Sequence, residues 1–315
     1  MQLDRVAVAV DFSETSVAAA RWTTQYFARG AELVLVHAVF VPEPPVFLRG
    51  RFPARETLVA TAHAGADRRL RELSLSLGAE RIWLEIRDGE PADRIADVAG
   101  EYAVDAVVVG AHGERTGMLR RLGSTAERVA RESRVPVLLA TGALDSAPSK
   151  LLIAMDDASI TPSVVDWSRL LAARYGAEVT GVHVVSPTVL GGLLTLAAIA
   201  SGTPQPEVPG IEDLSREDAG RFVQALVANG FDAARTHAEV AYGDPAQEIL
   251  AAAARRGADL IIMGRHGAGR GNRGGLGSVT AHVLRGAQCP VLVVTERAEE
   301  GEGAGAAKRD AEAAA

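Results

Sequence analysis

One cysteine, Cys289, stands in a chain of 315 residues. No disulfide can form within the chain, and a metal cage built from several thiolates is excluded. That content fits a reducing compartment, so the expectation is a cytoplasmic protein. Lysine is almost as scarce. Only Lys150 and Lys308 occur among 33 basic residues; the rest are arginine. A Walker A loop needs Gly-Lys-Ser/Thr, and neither lysine follows a glycine, so any phosphate site must work without that lysine. There is no excess of positive charge: the net charge is −7 and the pI about 5.6. A protein that coats a phosphate backbone is normally basic, so nucleic acid is not an expected partner. A long apolar run is missing too. The longest nearly uncharged stretch is 179–205, and its apolar heart, 188–200, falls short of the roughly 20 residues that span a bilayer. No membrane partner is expected. The first residues, Met1-Gln2-Leu3-Asp4-Arg5, lead into a short apolar run without the layout of a signal peptide.

What is present is ordinary globular material, 48% hydrophobic and 23% charged. The length gives a prior of two domains, each able to bury a core. The chain contains itself twice. Val6-Ala-Val-Ala-Val-Asp11 matches Leu152-Ile-Ala-Met-Asp156, and eleven residues beyond each aspartate stands a tryptophan, Trp22 and Trp167. Glu32-Leu-Val-Leu-Val-His37 matches Glu178-Val-Thr-Gly-Val-His183. Asp88-Gly-Glu-Pro-Ala matches Tyr242-Gly-Asp-Pro-Ala. Asp105 to Gly113 matches Asp259 to Gly267, and Val135-Pro-Val-Leu-Leu matches Cys289-Pro-Val-Leu-Val. The offset grows from 145 at the aspartates to 154 at the glycines, through a longer connection after the second strand of the second repeat. A period this long means a duplicated domain. The expected domains are 1–144 and 150–295, joined by Asp145-Ser-Ala-Pro-Ser, with a disordered acidic tail over 296–315.

Within a repeat, short apolar β-branched runs alternate with helical signals. Strands are expected at Arg5–Val10, Leu33–Val39, Arg81–Ile86, Ala106–Val109 and Val137–Ala140, with both faces buried as in a parallel sheet. Thr161-Pro162 reads as a helix start and Gly176 as its stop. Ser124-Thr-Ala-Glu127 reads as a capping box. The βαβα order predicts an α/β protein with two doubly wound, Rossmann-like sheets related by internal duplication.

Ligands of such sheets bind at the carboxyl ends of the strands. There the first repeat reads Gly110-x2-Gly113-x9-Gly123-Ser124, and the second reads Gly264-x2-Gly267-x9-Gly277-Ser278. Glycine at a strand exit lets backbone approach a ligand, and the later Gly-Ser opens a helix whose N–H groups and dipole hold phosphate. Arg115, Arg120, Arg121, Arg265, Arg270 and Arg273 could add charge-assisted bonds, although each by itself reads as a solvated surface residue. An aspartate that ends a strand, as Asp11 and Asp156 do, by itself reads as a helix cap or the start of a turn. His37 and His183 read as satisfied core residues rather than metal ligands, and no zinc spacing occurs among the seven histidines. His112 and His266 are open between phosphate contact and plain loop surface. Trp22 and Trp167 read as packing.

These features resemble the universal stress protein family, and more closely a tandem-domain member of its ATP-binding subclass. The resemblance covers about 4–141 and 150–295. It implies that Asp11 and Asp156 reach the nucleoside and that backbone at Ala38 and Val184 contacts adenine. It also implies a phosphate loop carried by Gly110, Gly113, Gly123, Ser124 and Thr125, and by Gly264, Gly267, Gly277, Ser278 and Val279. Ala38 departs from the usual valine, which a backbone contact tolerates. The implied strand order is 3-2-1-4-5, with the fifth strands paired across a two-fold axis, here Val137–Ala140 with Val291–Val294. The implied ligand is ATP, with Mg left open as its counter-ion and cyclic or other adenine nucleotides fitting the same logic. The implied role is a nucleotide-dependent stress-response regulator with unidentified protein partners. An internal pseudo-dimer is expected, with a homodimer open. The alternative is a slow ATPase or a nucleotidyl or phosphoryl-transfer enzyme. Against it, no kinase signature and no serine-hydrolase elbow occurs. Two differences between repeats stand out. The second glycine loop is richer in glycine and is expected to be more mobile when empty. The insertion over 186–212, with an apolar middle over 190–199, is expected to cover the neighbouring domain or a second chain.

Overall fold

The computed structural model describes residues 2–43, 47, 53–111, 122–155, 162–186, 196, 211–266 and 275–295, with backbone alone over 211–217. The first half runs β1 (Arg5–Ala9), α1 (Glu14–Trp22), β2 (Glu32–Val39), α2 (Arg55–Leu77), β3 (Ile82–Asp88), α3 (Pro91–Glu101), β4 (Ala106–Gly110), α4 (Ser124–Glu132) and β5 (Val137–Ala140). The second half repeats it as β6 (Lys150–Met155), α5 (Pro162–Tyr175), β7 (Glu178–Val185), α6 (Ile211–Ala228), β8 (Thr236–Tyr242), α7 (Pro245–Arg256), β9 (Leu260–Gly264), α8 (Ser278–Gly286) and β10 (Val291–Val294). Each expected strand forms, with ends shifted by two residues at most.

The central strands are short and apolar on both faces, and they are covered on both. Helices are placed by their apolar period. In α3, Ala92, Ile95, Val98 and Ala99 are buried, and in α7 the matching Ala246, Ile249, Ala252 and Ala253 are buried. Both begin with proline at the first helical position, and Gly257 ends α7 in the left-handed region at φ +62. Pro162 opens α5 as expected, and Gly176 follows it at φ +60. The capping-box reading of Ser124 is corrected. The N-cap is Gly123, Ser124 lies inside the helix, and no side chain caps this end. Glu127 pairs instead with Arg131 and Arg285.

All ten strands form one sheet in the order β3-β2-β1-β4-β5-β10-β9-β6-β7-β8. Each half is therefore 3-2-1-4-5 and parallel. The halves meet through β5 and β10, which pair antiparallel with Leu138 opposite Leu292. Those two leucines occupy equivalent repeat positions, so the pseudo-two-fold axis passes between them. One face of the sheet carries α1, α2, α5 and α6, the other α3, α4, α7 and α8.

Packing across the axis is aromatic on the first face. Phe27 is fully buried, with its ring centroid 6.2 Å from Trp22 and 6.1 Å from Trp167, stacked at 18° and 9°. The expectation of packing tryptophans holds. The Trp22 indole N–H donates to the Ser146 carbonyl at 2.8 Å, which fastens the connection between the halves. Among the described residues no helix is long and apolar enough to cross a membrane.

Phe27 stacks on a tryptophan from each half. Phe27→Ala should therefore cost about 3–5 kcal/mol, the range for emptying a buried phenylalanine site. Urea unfolding followed by tryptophan fluorescence measures it. A loss under about 1 kcal/mol would show that the ring does not join the halves.

Candidate functional site

The carboxyl ends of β1, β2 and β4 lie side by side in the first half, and the winding reverses between β1 and β4, the place where sheets of this kind form a ligand crevice. The turn after β1 is built by its own side chains. Asp11 Oδ1 accepts from the Ser13 amide at 3.0 Å and from the Ser13 hydroxyl at 2.6 Å. Ser13 Oγ in turn accepts from the Ser16 amide at 3.2 Å and caps α1. Phe12, between them, sits in the left-handed region at φ 64, which is uncommon for a bulky residue. Its ring lies 4.6 Å from that of His37, and the Arg69 guanidinium stands 4.1 Å over it. Asp11 itself is exposed at the mouth of the crevice.

The strand ladder decides which backbone groups face that crevice. β1 and β2 pair as far as Ala9 and Val36, and the Val10 amide still donates to the Val36 carbonyl at 2.8 Å. The next acceptor, the Val10 carbonyl, is taken by His37 Nδ1 at 2.7 Å. A carbonyl only accepts, so Nδ1 carries the proton in this pair. The period of two puts the Ala38 amide and carbonyl on the same edge as those of Val36, one step past the end of β1. They point into the crevice. In the second half His183 Nδ1 lies 3.2 Å from the Met155 carbonyl, but the ladder runs one pair further, to Met155 and His183. The edge at Val184 therefore opens one step later. Both histidines have a backbone partner, as expected, but they are half-buried rather than core residues.

The glycine loops share one neck. The Gly123 amide donates to the Ala111 carbonyl at 2.9 Å, and the Gly277 amide donates to the Arg265 carbonyl at 2.9 Å. Each loop is thus closed at its base by a backbone bond. Gly277 has φ −59, which any residue adopts, so conformation does not explain the glycine. Space does: a methyl group there would lie 3.0 Å from the Arg265 carbonyl. At Gly264 a methyl would lie 3.0 Å from the His266 carbonyl, and at Gly110 it would lie 3.3 Å from the Ser16 amide nitrogen. The Gly110 approach presses the exit of β4 against the start of α1, beside Asp11.

Beyond the neck, α4 and α8 begin with glycine N-caps that carry no capping side chain. Ser124 and Ser278 are exposed there, and Thr125 and Val279 are half-buried beside them. A helix end in this state offers amide donors and a positive dipole to an anion. Of the expected site residues, Asp11, Ala38, Gly110, Gly123, Ser124 and Thr125 lie at the carboxyl ends of β1, β2 and β4, and Gly264, Gly277, Ser278 and Val279 take the matching places in the second half, where the longer β6–β7 ladder engages the Val184 amide. Gly113, Asp156 and Gly267 lie outside the described residues. So do His112, five of the loop arginines, the glycine-rich run of the second loop, most of the insertion and the acidic tail.

Sequence reasoning missed three residues. Phe12 and Arg69 pack against each other beside His37 at the turn after β1, and their only signal was an aromatic after Asp11. Arg265 was read as a phosphate ligand or surface residue; its guanidinium donates to the Ser133 carbonyl of the first half at 2.7 Å. The one thiol, Cys289, is pushed up to about 12 by burial, so it offers no thiolate nucleophile at neutral pH.

Known proteins resemble this chain in sequence and in fold. A profile described as the universal stress protein family matches residues 2–141 and 148–295. A universal stress protein of Mycolicibacterium smegmatis is 26% identical over 307 residues, which is 93% of this chain and 97% of that one. One from Methanocaldococcus jannaschii is 30% identical over 152 residues, 48% of this chain and 84% of that one. The solved structure of a universal stress protein from Archaeoglobus fulgidus superposes with a TM-score of 0.66 at 20% identity, over 95% of this chain and 100% of that one. At that identity the likeness speaks for the fold.

Two outcomes are expected here. Gly277→Ala should lower stability by about 1–3 kcal/mol through overpacking, whereas Ser278→Ala, at an exposed site, should stay within about 0.5 kcal/mol. Equal urea midpoints for the two variants would remove the neck as a packing constraint. Burial lowers the pKa of His37 below the ordinary 6.5, ahead of the opposing pull of its bond to Val10. Below that value the unfolded chain takes up a proton that the folded chain resists. His37 therefore costs stability as pH falls through about 6.5 toward the folded-state value. His37→Asn keeps a donor for Val10 but cannot ionise. Its melting temperature should drop less than that of the wild type between pH 7 and 5, and equal drops would contradict the assignment.

Proposed function

The chain belongs to the universal stress protein family, and we propose that each half binds one adenine nucleotide and that the protein works as a nucleotide-dependent regulator of the stress response. The observation that carries this reading is the pairing, at one crevice, of an open strand edge at Ala38 with a pinned glycine loop that feeds an uncapped helix. Adenine presents an acceptor ring nitrogen beside a donor amino group. A strand edge that offers an amide and a carbonyl matches that pattern and needs no particular side chain, so alanine at position 38 serves. The exposed Asp11 carboxylate would accept from ribose hydroxyls. Gly110, Gly113, Gly123, Ser124 and Thr125 would wrap the phosphates with amide and hydroxyl donors. In the second half Asp156 would meet the ribose and the Val184 backbone the adenine, while Gly264, Gly267, Gly277, Ser278 and Val279 would hold the phosphates.

The regulatory part follows from what binding would order. A nucleotide that bridges the β1 turn, the β2 edge and the glycine loop favours the conformation in which all three are set, and any partner that reads that surface senses it. Mg would accompany ATP as a counter-ion. ATP is the nucleotide favoured here, with other adenine nucleotides and a cyclic nucleotide as competing occupants.

Denaturing freshly purified protein and identifying the released nucleotide by chromatography and mass spectrometry tests this directly. Two adenine nucleotides per chain are expected. Asp11→Asn keeps an oxygen for the Ser13 bonds but loses one acceptor, and it should weaken the first-half site at least ten-fold while leaving the second. Bound ADP with steady phosphate release from Mg-ATP would shift the assignment to a slow ATPase or transferase. No nucleotide, and no uptake on adding Mg-ATP, would end the proposal.

A further inference from the structure

At the opposite end of the sheet, where the strands begin, the two halves differ. In the first half this corner is filled. Arg5 holds Glu32 through Nε and Nη2 at 2.9 and 2.7 Å and donates to the Tyr102 carbonyl at 2.7 Å. Arg81 takes the other Glu32 oxygen at 2.8 Å. Trp83 and Tyr102 lie 6.1 Å apart, with the Tyr102 hydroxyl on Glu85. Beneath them Val34 is fully buried.

The strand registers give the counterparts in the second half. Arg5 opposite Glu32 becomes Lys150 opposite Glu178, and Val34 opposite Trp83 becomes Thr180 opposite His237. Arg256 replaces Tyr102 and Arg255 replaces Glu101. Arg235, the counterpart of Arg81, turns away to the Gly176 carbonyl. Two aromatic rings and the Arg5–Glu32 ion pair are thus lost, and a cleft of about 190 Å³ opens. Lys150, Glu178, Thr180, His237, Arg255 and Arg256 supply its polar lining. Among the described residues Lys150 and Glu178 make no ion pair, and the His237 ring makes no hydrogen bond. Arg255 and Arg256 are steadied by Glu239. The lining carries three permanent positive charges and one negative charge.

We propose that this cleft is a second ligand site, specific to the second half, for a small organic anion. Its volume equals about six waters at roughly 30 Å³ each, which suits a metabolite of that scale rather than a nucleotide. The ligand's carboxylate or phosphate group would lie between the Lys150 ammonium and the two guanidinium groups, the arginines giving directed forks and the lysine a point charge. Glu178 and Thr180 would receive a hydroxyl or ammonium group on the same ligand. The site lies at the opposite end of the strands from the glycine loops, so it is independent of them and does not rest on the nucleotide reading.

Isothermal titration of the full chain, saturated beforehand with ATP, is the test, with inorganic phosphate, glycerol 3-phosphate and glutamate as probes. At least one probe should bind once per chain, and the responding probes separate a phosphate from a carboxylate ligand. Lys150→Ala should weaken that binding at least ten-fold. His237→Trp, which restores the ring found in the first half, should weaken it comparably by filling the cleft. Both positions are at the surface, and circular dichroism checks that each variant folds. No heat with any probe, or an unchanged affinity in folded Lys150→Ala, would overturn the proposal.

Discussion

The antiparallel pairing of β5 with β10 is the constraint on which the rest depends. Each strand is only four residues long, yet every residue in both is buried. Alone, each half would leave its fifth strand as an apolar edge with unpaired amides and carbonyls. Joining the two edges removes both at once. Because equivalent residues meet at Leu138 and Leu292, the contact is self-complementary, like a symmetric dimer interface contained in one chain.

That pair also places the two crevices. The Ala111 amide donates to the Ala140 carbonyl at the end of β5, and the Arg265 amide donates to the Val294 carbonyl at the end of β10. Each glycine loop is therefore anchored one strand from the axis. The link is closer still on one side. Arg265 reaches the Ser133 carbonyl, Thr295 reaches the Arg134 carbonyl at 3.3 Å, and Arg285 pairs with Glu127 of α4 at 2.9 Å. Ala111 stands at the position matching Arg265 and has no side chain with which to return the contact. The duplication is symmetric in its strands and asymmetric in the side chains that cross the axis. Phe27 shows the same on the other face, a single ring filling the space between two equivalent tryptophans.

Much of the fold was legible because its signals are local. Apolar β-branched runs mark buried parallel strands, Pro162 and Gly176 bracket α5, and the repeat itself announces two copies of one unit. The glycine spacing located the candidate loops for the same reason. The capping box at Ser124 misled because the true N-cap is a glycine, which has no side chain to announce itself. Side-chain rules then place the helix start one residue too late. Arg265 misled because its partners are carbonyls more than 130 residues earlier in the chain, and no local pattern encodes them.

The sequence by itself determined the elements, their order and the duplication, since these follow from periodicity and turn chemistry within a few residues. The tertiary structure alone decided which groups share a space. It set Phe12 and Arg69 beside His37, ended the β1 ladder one step short of Ala38, and brought the Arg265 carbonyl so near Gly277 that a methyl group there would sit in tight contact with it. It also turned the exchange of Arg5, Trp83 and Tyr102 for Lys150, His237 and Arg256 into an open cleft. Those outcomes depend on distances between elements remote in the chain, which packing fixes and local sequence does not.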